Sequence, residues 1–136
     1  MIEVYGIKEL MADIRAAGDI PPNVLQQMVQ EQSKLTEEAL IYNAGSMLKG
    51  KYYQGDVAAS VKAGKPRVTR QGATVKIEFK GMAHGNRIAE IAFINEYGKT
   101  KQEPRPFIKK SINDTNEPAA QAAKVVLDAW LASKHL

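Results

Sequence analysis

The chain has 136 residues, of which 44% are hydrophobic and none is cysteine, and it carries a formal net charge of +4. That suits a single domain with a real core, spanning 1–136, and it excludes disulfides and thiolate metal sites. The opening stretch MIEVYGIKEL has acidic residues and no apolar run, so it does not read as a signal peptide, and no segment approaches the ~20 apolar residues of a membrane span.

Residues 4–17 read as a helix, because Ile7, Leu10, Met11 and Ile14 recur at helical spacing and Gly18 is a plausible stop. Asp19-Ile20-Pro21-Pro22 then breaks the chain; proline is favourable at a helix start, where its missing N–H has no intrahelical partner anyway. The longest element is expected over 22–49. Leu25, Met28, Leu35, Ala39 and Tyr42 form its apolar stripe, Val24 and Leu40 lie beside it, and Gln26, Gln30, Glu31, Lys34 and Glu38 face water.

After a connection over 50–56 the period moves toward two. Val57, Ala59 and Val61 alternate with Ala58, Ser60 and Lys62, although a helical first turn also fits. A short basic strand is expected over 67–70, and Gln71-Gly72 supplies a turn. The clearest strand is 74–80, with Val75, Ile77 and Phe79 on one side and Lys76, Glu78 and Lys80 on the other. Residues 81–86 read as a loop. The spacing of Ile88, Ile91, Ile94 and Tyr97 favours a helix over a strand, with Gly98 ending it. Residues 99–105 are polar and charged, and are expected to be mobile or ordered by a partner. Phe107, Ile108 and Ile112 open another helical segment, which Asn116-Glu117-Pro118 interrupts as a kink or a new start. The last helix carries Ala123, Val126, Leu127, Trp130 and Leu131 on one face. The fold class expected is α+β: an antiparallel sheet of three or four strands packed against the long helix and the C-terminal helix.

No catalytic constellation is visible. Gly45, Gly50 and Lys51 have the spacing of a phosphate-binding loop, but Tyr52 stands where a small hydroxyl must hold magnesium. The segment also follows a helix, whereas such a loop leaves a strand. His84 and His135 lack a carboxylate or second histidine at ligand spacing. Glu37 and Glu38 are helix neighbours about 100° apart and cannot share a proton. No cofactor and no metal is expected.

Charge is unevenly spread. Residues 1–50 hold four basic and seven acidic side chains, 51–110 hold thirteen and five, and 111–136 hold two and three. A basic centre between acidic ends can attract nucleic acid or an acidic protein surface, or let copies dock end against middle. Lys62, Lys65, Arg67, Arg70, Lys76 and Lys80 can line one sheet face, with Tyr52 and Tyr53 nearby. The aromatics are not interleaved along the strands as a base-stacking platform needs, so DNA contact through charge alone is what remains of a nucleic-acid reading.

The segment Ala92-Phe93-Ile94-Asn95-Glu96-Tyr97-Gly98-Lys99-Thr100, followed by Pro104-Arg105-Pro106-Phe107-Ile108, is the most informative. Gly98 permits a left-handed turn, Pro104 and Pro106 stiffen the exit and bias Arg105 away from helix, and Phe107 returns the chain to the core, an anchor of about 2–3 kcal/mol. The segment resembles the E-[FY]-G-T, variable loop, P-x-P-F-[LIM] pattern of a family of small proteins of long-tailed bacteriophages, described as head–tail joining, tail-completion or minor tail components. Gly55-Asp56-Val57-Ala58-Ala59-Ser60-Val61 looks like that family's G-x-L-x-x-S-I stretch, and Tyr5-Gly6-Ile7-Lys8-Glu9-Leu10 resembles its opening. Two departures stand out: Lys99 is inserted in the family's Gly-Thr, and no proline precedes Gly55 in Tyr52-Tyr53-Gln54-Gly55.

The resemblance implies a non-enzymatic assembly protein of a phage or prophage, one that completes the tail or joins it to the head. Its implied partners are connector, neck and tail proteins and further copies of itself in a six-fold ring. Its implied location is the host bacterial cytoplasm during assembly and the virion neck or tail. The expected partner-binding residues are Lys99, Thr100, Lys101, Gln102, Glu103 and Arg105 in the loop and Arg67, Arg70, Lys76 and Lys80 on the basic face. Glu96, Tyr97, Gly98, Pro104, Pro106 and Phe107 are expected to build the motif. The alternative from another class is a charge-driven DNA-binding protein.

Overall fold

The computed structural model describes residues 2–5, 20–48, 55–69, 72–83 and 85–134. In chain order these form β1 (Ile2–Tyr5), α1 (Pro22–Met47), α2 (Asp56–Ser60), β2 (Val61–Ala63), β3 (Arg67–Thr69), β4 (Gly72–Phe79), β5 (Met82–Ala83), β6 (Asn86–Arg87), α3 (Ile88–Tyr97) and α4 (Phe107–Lys134). The α+β expectation holds: an antiparallel sheet packs against a long helix and a C-terminal helix.

β4 is the centre of the sheet. Thr74 pairs with Tyr5 of β1 on one side and Arg67 of β3 on the other, and Ile77 pairs with Ile2 and with Ala63 of β2. β2 and β3 therefore run end to end along one edge of β4. Between the Ala63–Ile77 and Arg67–Thr74 pairs, three residues face two, with the Gly64 N–H donating to the Lys76 carbonyl at 2.8 Å. That is a β-bulge, and Pro66 is tolerated within it because no ladder donor is needed there.

Val75, Ile77 and Phe79 are buried, whereas Lys76 and Lys80 are exposed, as alternation requires. Ala73 extends the buried row. One core cluster joins this row to Ile20, Val24, Leu25, Met28 and Val29 of the α1 end and to Ala123 and Leu127 of α4. A second joins it to Leu40, Ala44, Leu48, Val57, Ile88, Ala92 and Phe107.

Several expected elements shift. Residues 4 and 5, assigned to the first helix, belong to strand β1, because the Ile2–Tyr5 segment finds the free edge of β4 some seventy residues away. The rest of that expected helix lies outside the described residues, as do Arg70, Gln71, Tyr52, Tyr53 and both histidines. Residues 56–60 take the helical alternative, and the expected loop over 81–86 includes β5 and the first residue of β6, which pair antiparallel. α4 is continuous through Pro118. Pro118 and Asp114, whose carbonyl loses its donor, both lie on the exposed side where water can take the bond.

The apolar stripe of α1 is turned from its expected position. Tyr42 is exposed, while Gln32, Ser33, Thr36 and Asn43 are buried. The cause is α4, whose Ser111, Thr115, Ala119, Ala123 and Leu127 recur every fourth residue and give a narrow ridge along α1. Asn43 Nδ2 donates to Ser111 Oγ at 2.9 Å, and the Thr36 and Thr115 hydroxyls meet at 3.5 Å. Hydrogen bonds across the interface thus replace the apolar contacts the sequence pattern suggested.

Candidate functional site

α3 is short and strongly apolar, yet it buries only Ile88, Ala92, Asn95 and Glu96. Ile94 and Tyr97, which share the expected stripe with Ile88 and Ile91, turn outward instead. Phe93 is 63% and Tyr97 67% exposed, with ring centroids 4.7 Å apart. The helix packs by its polar C-terminal residues because the chain that follows needs them.

Glu96 is the first of these. Its carboxylate accepts the Ile108 N–H at 2.7 Å and the Lys109 N–H at 3.1 Å. Those N–H groups open α4 and have no intrahelical acceptor, so a carboxylate satisfies both and also suits the positive end of the helix dipole. Asn95 is the second, and sequence reasoning passed over it. Its backbone carbonyl accepts the Arg105 N–H at 2.6 Å, and its side-chain oxygen accepts Gln102 Nε2 at 3.2 Å. Burial at 88, 92, 95 and 96 follows helical spacing, but two polar residues in that row conceal it.

Gly98 ends α3 at φ 76°, ψ −178°, a region essentially reserved for glycine. A Cβ there would lie 2.8 Å from the Gln102 carbonyl oxygen and 2.9 Å from the Pro104 nitrogen. The chain then closes on itself: Lys99 and Gln102 exchange backbone hydrogen bonds of 3.0 and 2.9 Å across Thr100 and Lys101. Pro104 and Pro106 lead back to Phe107, which is fully buried and meets Phe79 edge-on at 5.9 Å. The segment 99–105 was expected to be mobile or ordered by a partner. It is a closed turn tied at both ends, with Thr100, Lys101, Glu103 and Pro104 exposed.

The open face of the sheet is the second candidate. A groove of about 230 Å³ is lined by Lys65, Arg67, Thr74, Lys76, Glu78 and Lys80 around Gly64. Lys62 stands opposite Glu78 in register, and Glu78 approaches Lys80 at 3.9 Å. The bulge brings Lys65 to this groove. Arg67, Lys76 and Lys80 thus lie together as expected, and Arg70 lies outside the described residues.

The loop and the basic face, both expected to bind partners, lie apart in the structure. No residue of 96–107 lines the groove. Phe107 packs on Phe79, which points to the core, while Lys76, Glu78 and Lys80 point the other way.

Among the described residues, no group of three or more histidine, aspartate or glutamate side chains could hold a metal ion, and no helix is long and apolar enough to cross a membrane. Asp114 has a carboxyl held below its ordinary range, chiefly by the hydrogen bond from Lys110 at 2.7 Å, with Asn43 adding and desolvation opposing. Gly45 to Met47 form the C-terminal end of α1, as a helix end and not a phosphate loop requires. Compared with protein-family models, curated proteins and solved structures, the chain matches none.

Proposed function

We propose that the chain is a non-enzymatic assembly protein of a long-tailed bacteriophage or prophage, completing the tail or joining it to the head. One observation carries the reading: the residues that resemble the phage family's motif form a preshaped projection beside exposed aromatic surface. Glu96, Gly98 and Phe107 hold the turn from within, and Pro104 and Pro106 stiffen its exit. Thr100, Lys101 and Glu103 lie outside, and Phe93, Ile94 and Tyr97 flank them on α3.

A closed turn loses little conformational entropy on docking, so its contacts convert efficiently into affinity. Clustered exposed aromatics beside polar residues are the composition of a protein-binding patch. In this reading the patch meets a neck, connector or tail protein, or the next copy in a six-fold ring. The chain acts in the bacterial cytoplasm during assembly and then in the virion neck or tail.

The test is complementation of a phage that lacks this gene with a variant carrying Phe93→Ser and Tyr97→Ser. The variant should keep the far-ultraviolet circular dichroism and melting temperature of the parent, and leave heads and tails unjoined in electron micrographs. Normal yields of infectious particles from a folded variant would remove this surface from assembly.

A further inference from the structure

We propose that the open face of the β-sheet binds the phosphate backbone of duplex nucleic acid without regard to base sequence. The inference is independent of the assembly reading, because it concerns the other side of the sheet and none of the residues of the 96–108 turn. Among the described residues, Lys62, Lys65, Arg67, Lys76 and Lys80 stand on or beside this face, against the carboxylate of Glu78. These five cations lie in the basic middle of the chain, residues 51–110, where thirteen basic side chains face five acidic ones.

Two features of the backbone build this side. The bulge over 64–66 adds one residue to the edge strand and brings Lys65 to the groove between Lys62 and Arg67. Gly64 lines the groove without a side chain, and its N–H donates to the Lys76 carbonyl at 2.8 Å. Thr74 also lines the groove, with its hydroxyl oxygen buried beneath the cations and without a hydrogen-bond partner among the described residues.

The lining selects the ligand. Among the described residues, it contains no apolar or aromatic side chain. A protein partner would be expected to seat an apolar anchor, and a single-stranded nucleic acid would be expected to stack its bases on aromatic rings. A face on which cations outnumber the one lining carboxylate suits a regular row of phosphates, whose contacts fix position and carry no sequence information. Lysine and arginine on an exposed sheet would then bind through release of counterions, which makes affinity depend steeply on salt.

The experiment is fluorescence anisotropy of a labelled DNA duplex titrated with the full chain across a salt series. Binding should weaken along a log–log slope of about −4, corresponding to four or five neutralised phosphates. Two duplexes of unrelated sequence should bind alike. The variant K65Q/R67Q/K76Q/K80Q should weaken binding at least tenfold, on the order of the loss expected for four phosphate contacts. A control, K124Q/K134Q, removes two exposed cations of α4 and should change affinity less than about twofold. Melting curves of both variants should match the parent, since none of these side chains is buried. Equal losses from the two variants would overturn the proposal, as would tighter binding to single-stranded DNA. Poly-glutamate that outcompetes the duplex at equal charge would also overturn it and assign the face to an acidic protein.

Discussion

In the 96–108 segment, particular atoms hold particular partners: two backbone N–H groups on Glu96, one on the Asn95 carbonyl, and a glycine wedged against Gln102 and Pro104. On the open face of the sheet, strand alternation and the bulge set where the side chains stand, and Lys65, Arg67, Lys76 and Lys80 are exposed. The first region is shaped by individually irreplaceable residues, so single substitutions should act on stability. The second is a collective charge, so single substitutions should leave stability alone and act on binding in proportion to the charge removed.

The contrast is broken most directly at Phe107. Its ring is fully buried against Phe79, and Phe107→Ala should lower stability by about 3–5 kcal/mol. Chemical denaturation checks this, and an unchanged midpoint would take the ring out of the core. Next comes Gly98→Ala, which forces a side chain into a glycine-only conformation and against backbone atoms. A loss of about 2–3 kcal/mol is expected, with hydrogen exchange accelerating over 96–109 before the sheet.

Glu96→Ala should cost about 1–2 kcal/mol, the usual range for loss of a helix-capping acceptor. Glu96→Gln keeps one oxygen acceptor and should fall between parent and alanine variant. Equal stability of all three by thermal melting would show that water caps α4 as well as the carboxylate does.

The smallest effect is expected at Asp114, a partly exposed group at the edge of the α1–α4 interface. Lys110 depresses its carboxyl in the folded state, so ionised Asp114 favours the fold. That contribution is fully present above about pH 4, the unfolded value, and is lost as pH falls through the lower folded value. The melting temperatures of the parent and Asp114→Asn should therefore differ slightly at neutral pH and converge in acid. A gap that widens below pH 4 would reverse the sign assigned to this pair.

Much of this was legible locally. The strand at β4 follows from strict alternation, α1 from its length and its paired prolines, and the end of α3 from Gly98. The basic face also followed, because exposed positions of a half-buried strand can be counted along the chain. Other features depended on partners distant in sequence. Tyr42 reads as core until α4 turns α1 to meet its small residues. Residues 99–105 read as loose because the groups that tie them, on Asn95 and Gln102, look like ordinary surface amides.

By itself, the sequence determined the helical and alternating periods, the positions where only glycine or proline suits the backbone, and the sign of the charge on the outer face of β4. These depend on neighbouring residues, and covalent geometry and local sterics decide them. Only the tertiary structure decided which face of each helix is buried, that β1 completes the sheet, and that the closed turn and the basic groove lie on opposite sides of it. Those outcomes rest on hydrogen bonds and packing between residues tens of positions apart, whose free energy exists only once both partners are in place.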